Sequence, residues 1–186
     1  MYKELNEQEL AVLCGKRDRS AENELYRRYA TRVGALCRRY MNNDEEAKDL
    51  MQDALVQALD RIRTYKYTGE GSLYGWLCRI AINKALDQIR KRKWQTVSWD
   101  FWSRDNIPEP TEDDMEAIPE EKLLEWIDRL PDFKRSVFNL YCIDGYSHKE
   151  IGEMLGITER GSTSILAKAR KQLKEEIQRY LKEQDK

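Results

Sequence analysis

The sequence holds one histidine, His148, and four cysteines, Cys14, Cys37, Cys78 and Cys142, in 186 residues. Structural zinc sites draw clustered ligands from these two residue types. Here the cysteines stand far apart with no CxxC pair, so such a site is excluded. The thiols read as buried, reduced side chains acting as small hydrophobes. A Ser-His-Asp or Cys-His centre would have to use His148, which is expected to be solvated or near a phosphate. No glycine-rich phosphate loop is present. No catalytic residue, metal or cofactor is therefore expected. No apolar run approaches the roughly 18 to 20 residues that span a bilayer. The N-terminus, MYKELNEQEL, has no apolar core like that of a signal peptide. The expected location is cytoplasmic, with no membrane insertion. Only 9 Gly and 4 Pro interrupt the chain, so long helices are permitted.

Charge is abundant. Charged residues make up 36% and hydrophobic residues 40%, enough for one ordinary domain or two small ones. The net charge of −1 conceals a division. Residues 1–93 carry 19 Lys and Arg against 14 Asp and Glu, a net +5. Residues 94–119 carry 1 against 7, a net −6, and residues 120–186 carry 13 of each. Binding to phosphates depends on a local basic face, not on whole-chain charge.

The stretch SHKEIGEMLGITERGSTSILAKAR, residues 147–170, carries the strongest local pattern. Ser147 and Glu150 form a capping box, followed by Ile151, Met154 and Leu155 at helical spacing. Gly156 suits the left-handed end of that helix. Thr158 then caps a second helix whose apolar positions are Ile165, Leu166, Ala169 and Leu173. Gly152 lets the two helices approach closely. Two short helices around a glycine turn describe a helix-turn-helix, whose second helix enters the major groove.

Helices account for the rest of the ordered sequence. Asn6 with Glu9 starts one that carries Leu10 and Leu13 and ends at Gly15. Ser20 is expected to cap a helix from about Ala21 to Met41, with Arg27, Arg28, Arg32, Arg38 and Arg39 around its apolar stripe. Those arginines fit either a solvated face or a contact with DNA or an acidic partner. Asn43 caps a third helix, whose stripe runs from Ala47 to Ile62. Asp49, Gln52 and Asp53 form one patch on its opposite face. TYKYTGEG, residues 64–71, is a loop with stacking potential. Ser72 is expected to cap a fourth helix with Leu73, Trp76, Leu77, Ile80, Ala81, Leu86 and Ile89 inward. Arg79, Asn83, Asp87, Arg90 and Lys91 lie outward. An aromatic loop leading into a helix with an amide and terminal cations suits single-stranded nucleic acid. Residues 94–119 read as an acidic linker. Trp94, Trp99, Phe101 and Trp102 lie at its start, to pack back or to meet a partner. Leu123 to Leu130 and Val137 to Tyr141 continue the core of the second unit. The expected fold is all-α: two small helical domains, 1–93 and 120–186, joined by the linker 94–119.

DLMQDALVQALDRI, GSLYGWLCRIAINKALDQIRKRK and LPDFKRSVFNLYCIDGYSHKEIGEMLGI together resemble the extracytoplasmic-function group of bacterial sigma-70 factors. The resemblance covers nearly the whole chain, in order. It implies that 1–93 is region 2 and 120–186 is region 4 of a promoter-specificity subunit. It implies that Asp49, Gln52 and Asp53 dock on the β′ clamp helices of core RNA polymerase, with the β flap as a further contact. Tyr65, Lys66 and Tyr67 with Asn83, Lys84, Asp87, Arg90 and Lys91 would recognise and melt the −10 element, Asn83 contacting a flipped base. Arg160, Thr163, Ser164, Ala167, Lys168, Arg170 and Lys171 would face the −35 element. Thr163 and Ile165 stand where many members carry basic residues, and Ser162 where many carry an apolar one. A different −35 preference is expected. Promoter DNA and an anti-sigma factor are the other implied partners. A stand-alone helix-turn-helix regulator is the alternative.

Overall fold

The computed structural model describes residues 2–93 and 118–184. The linker and its tryptophans lie outside the described residues. Among those residues every regular element is helical. The chain divides into two compact units, Met1–Gln88 and Ile89–Lys186.

In the first unit α1 spans Glu7–Gly15, α2 Arg19–Tyr40 and α3 Asp44–Arg61, and α4, Ser72–Lys93, starts in this unit and runs past its last residue, Gln88. The capping box at Asn6 forms, the Glu9 backbone N–H donating to Asn6 at 2.9 Å. Arg17 then takes a left-handed φ of 61° and delivers Asp18, rather than Ser20, as the cap of α2. The Asp18 carboxylate accepts from the Ala21 backbone N–H, the Tyr2 hydroxyl and the Ser20 backbone N–H, which hold its pKa below the usual range. An ionised acceptor also suits the positive end of the helix dipole. Asn43 caps α3 as its sequence predicts.

Leu25, Val33, Leu50, Leu73, Leu77 and Leu86 are fully buried and form the centre of this unit. The inward stripe of α4 differs from expectation. Ile82 and Ala85 are buried, whereas Trp76 and Ile80 are only half-buried. The core follows an i, i+4 row through Leu73, Leu77, Ala81 and Ala85, with Ile82 and Leu86 alongside. A row of strict fours drifts around a helix of 3.6 residues per turn.

In the second unit α5 spans Glu120–Asp128, α6 Asp132–Phe138, α7 His148–Leu155 and α8 Glu159–Gln184. The long α8 is the axis against which α5, α6 and α7 pack. Trp126, Ile127, Leu130, Leu173 and Ile177 form one cluster with Ile118. Tyr180 meets Trp126 edge-on at 5.7 Å. The buried Arg135 is held by the Asp128 carbonyl at 2.7 Å and by Asp132 at 3.2 Å.

Asn139–Ile143 is a π-helical turn, not a continuation of α6. The Asp144 backbone N–H donates to the Asn139 carbonyl at 2.9 Å, five residues back. The wider turn changes the register. Leu140 stays buried, but Tyr141, expected in the core, is exposed together with Cys142 and Ile143.

Candidate nucleic-acid interface

α4 carries the outward polar row that the sequence singles out in the first unit. Its start is held from a distance. The Glu7 carboxylate of α1 accepts from the Leu73 backbone N–H at 3.0 Å and from the Tyr29 hydroxyl at 3.0 Å. Glu7 thereby satisfies an N-terminal donor of α4 from 66 positions away and ties α1, α2 and α4 together. Burial and the Glu7 charge together push the Tyr29 hydroxyl's pKa upward. Sequence reasoning missed Glu7, because nothing local marks it as a cap for another helix.

Tyr65 accounts for the shape of the loop before α4. Its hydroxyl lies 2.6 Å from Ser72 Oγ, which in turn donates to the Gly69 carbonyl at 2.6 Å, so Ser72, the first residue of α4, braces the loop where a cap was expected. Its ring meets Trp76 at 5.6 Å. Tyr65 is half-buried, and burial raises its pKa. It braces the loop, whereas Lys66 and Tyr67 are exposed, Tyr67 at 42%.

Along α4, Arg79, Asn83, Asp87 and Lys91 are exposed and Arg90 is half-buried. Their spacing puts them on one side of the helix. Asn83 therefore offers an amide that donates and accepts at once. Lys84 lies beside this row, and its Nζ meets the Asp53 carboxylate at 3.4 Å. That contact joins the α4 row to the acidic patch of α3, where Asp49, Gln52 and Asp53 are all exposed. Val56, one turn further on, is 60% exposed and extends the patch with an apolar group.

Arg27, Arg28, Arg32 and Arg38 of α2 have internal partners. Arg27 and Arg28 both bind Glu24, at 2.7 Å each. Those hydrogen bonds hold the Glu24 carboxyl down to about 2. Arg28 also donates to the Leu5 and Tyr2 carbonyls, at 2.7 Å each, and so anchors the N-terminal segment. Arg32 lies 3.7 Å over the Tyr74 ring, and Arg38 meets Asp44 at 3.2 Å. Arg27, Arg32 and Arg38 remain exposed while paired, as a solvated face implies.

The helix-turn-helix forms with the expected caps. Ser147 and Glu150 make the capping box, Gly156 takes a φ of 67°, and Thr158 Oγ1 accepts from the Gly161 backbone N–H at 3.0 Å. His148 is less solvated than its place at the start of α7 suggests. It is half-buried, 2.9 Å from Ser162 Oγ through Nδ1, and stacked on the exposed Tyr141 at 4.3 Å. Ser162 is fully buried, so the histidine gives its hydroxyl a partner. On the outer side of α8, Arg160, Thr163, Ala167 and Arg170 are exposed, while Ser164, Lys168 and Lys171 are half-buried. Arg170 reaches Cys142 Sγ at 3.8 Å and sits 5.9 Å from the Tyr141 ring. Among the described residues no group of three metal-ligating side chains occurs, and no helix is long and apolar enough to cross a membrane.

Sigma-70 region 2 matches residues 25–95, and Sigma-70, region 4 matches residues 120–173. The chain belongs to the sigma-70 family, in its extracytoplasmic-function group. It is 28% identical over 168 residues to the ECF RNA polymerase sigma factor SigE of Mycolicibacterium smegmatis, covering 87% of this chain and 63% of that protein. It is 24% identical over 189 residues to the ECF RNA polymerase sigma-E factor of Haemophilus influenzae, covering 96% and 98%. The solved sigma factor RpoE of Bartonella quintana, in complex with the anti-sigma factor NepR, shares the fold. Its TM-score is 0.51 at 19% identity, over 82% of this chain and 94% of that one. Both regions, in this order, are more than a stand-alone helix-turn-helix regulator requires, and that alternative is not favoured.

Proposed function

We propose that this extracytoplasmic-function sigma factor divides promoter recognition between two helical units on core RNA polymerase and performs no catalysis itself. The reading rests on region 2 and region 4 occurring together in one chain. Residues 1–93 form the docking and −10 unit, 94–119 the linker, and 120–186 the −35 unit. Asp49, Gln52 and Asp53 dock on the β′ clamp helices, and the second unit meets the β flap. Asn83 takes the flipped −10 base, Lys66 and Tyr67 attend the melted strand, and Arg90 and Lys91 follow its phosphates. Asp87 lies on the same row. Tyr65 keeps the loop in shape for this work. Lys84 enters as a phosphate contact once Asp53 is engaged by polymerase. Arg160, Thr163, Ser164 and Ala167 face the −35 bases, with Lys168, Arg170 and Lys171 beside the backbone. Unstacking and flipping a base costs a few kcal/mol, which the loop and the Asn83 amide must offset.

The protein works in the cytoplasm, where polymerase and promoter DNA are found. An anti-sigma factor is included as a partner, the class of protein seated on the Bartonella relative. The test is reconstitution of the full chain with core RNA polymerase and a randomised promoter library, read by which sequences melt. Selective melting of a −35/−10 pair is expected. Failure to co-elute with core enzyme, or tight operator binding without it, refutes the proposal.

A further inference from the structure

We infer that the recognition helix α8 reads thymine methyl groups, through Thr163 and Ala167, as the main base-specific contacts of its −35 element. The inference rests on the region 4 reading above and names the base chemistry that this helix fits.

Elimination supplies the first half of the argument. A recognition helix uses its N-terminal turns on base edges. Adenine is read bidentately by Asn or Gln, and guanine by Arg or Lys. Between Glu159 and Lys171, α8 contains neither Asn nor Gln. In its first two turns Arg160 is the only cation. Arg170, a further turn on, lies toward Tyr141 and Cys142. Beyond a single Arg160–guanine contact and the Ser164 hydroxyl, which can meet either kind of base edge, what such a helix still recognises is the thymine C5 methyl, by apolar contact.

Geometry supplies the second half. Thr163 is exposed, and its Oγ1 donates to the Glu159 carbonyl at 3.1 Å, one turn back. The hydroxyl proton is committed to the helix. The side chain therefore presents its methyl. Ala167, exposed one turn later, has only a methyl to present. Ser162 and Leu166 are buried behind these two and do not compete for the groove. Such short side chains let the helix sit close to the bases. Four residues advance a helix by about 6 Å, close to two base steps of about 3.4 Å. The two methyls therefore match thymines about two steps apart.

The test uses holoenzyme made from the full chain and core polymerase. A library randomised across the −35 region is expected to enrich two thymines about two steps apart. Deoxyuridine is then placed at each, which removes only the base methyl. Affinity is expected to fall about three- to fourfold per position, the size for withdrawing one buried methyl-sized group. Thr163→Ser keeps the back-bond and removes the protein methyl, so it should erase the uridine penalty at one position and leave the other. Ala167→Gly, which removes the other methyl, should do the reverse. Core binding and −10 discrimination should stay at wild-type values in both variants, which shows that they are folded. Uridine tolerated at both positions, a penalty unchanged by Thr163→Ser, or enrichment of guanine or adenine there overturns the inference and leaves the sigma-factor reading standing. A chain that selects no promoter with core polymerase overturns both.

Discussion

Gly152→Ala tests the tightest approach in the helix-turn-helix. Gly152 is buried on α7, and its carbonyl accepts from the Ile157 backbone N–H at 2.9 Å. A Cβ built on it would lie 2.8 Å from the Ile157 carbonyl oxygen, 3.4 Å from the Glu159 nitrogen and 3.5 Å from the Thr158 carbonyl carbon. All three are backbone atoms of the turn and cannot rotate away, so the helices must separate. Overpacking of this kind costs about 1–3 kcal/mol, against about 1 kcal/mol gained from replacing glycine inside a helix. A net loss of about 1–2 kcal/mol is expected, since a backbone clash belongs at the upper end of the range. In a unit of this size each kcal/mol lowers Tm by about 4–8 °C. Gly161→Ala is the control. Its Cβ would meet the Thr158 side-chain hydroxyl at 3.1 Å, and a small shift of that side chain relieves the contact. Thermal unfolding of the full chain followed by circular dichroism, with −35-dependent transcription as a second readout, separates the two. A Gly152→Ala protein that melts at or above wild type, with Gly161→Ala the lower of the pair, refutes the close-approach argument.

Asn83→Ala should lower discrimination between matched and mismatched −10 elements by about five- to 150-fold, the range of one bidentate base contact. Core binding should be unchanged. Run-off transcription on both templates measures this, and an unaltered ratio removes Asn83 from the base site. Asp49→Arg with Asp53→Arg should weaken assembly with core polymerase, and co-elution at wild-type stoichiometry and salt resistance would contradict that. Glu24 has a folded-state pKa of about 2, depressed from 4.5 by Arg27 and Arg28. A depressed carboxylate contributes stability that is fully present above its unfolded pKa and is lost as pH falls toward the folded one. Wild-type Tm should therefore fall between about pH 4.5 and 2 more steeply than that of Glu24→Gln, and parallel melting curves over that window argue against the ion-paired role.

Much of the candidate site was legible because its signals are local. The capping boxes at Asn6 and Ser147, the left-handed Gly156 and the outward row from Arg79 to Lys91 each follow from spacing within a few turns. Other features were illegible for an equally physical reason. The π turn at Asn139–Ile143 carries no compositional mark, yet it shifts Tyr141 out of the core and onto His148. Trp76 and Ile80 fit the helical period as well as Ile82 does, and only the neighbours of α4 decide which is covered.

The amino-acid sequence by itself determined that this protein is helical, where its helices begin and end to within a turn, and which two sigma regions it carries. Those properties live in residues close together along the chain. The tertiary structure decided which polar groups are partners: Glu7 with the start of α4, Asp53 with Lys84, Glu24 with two arginines, and His148 with the buried Ser162. Except for Glu24, these partners come from different helices. Periodicity places a side chain on one face of its own helix but carries no record of which helix packs against that face.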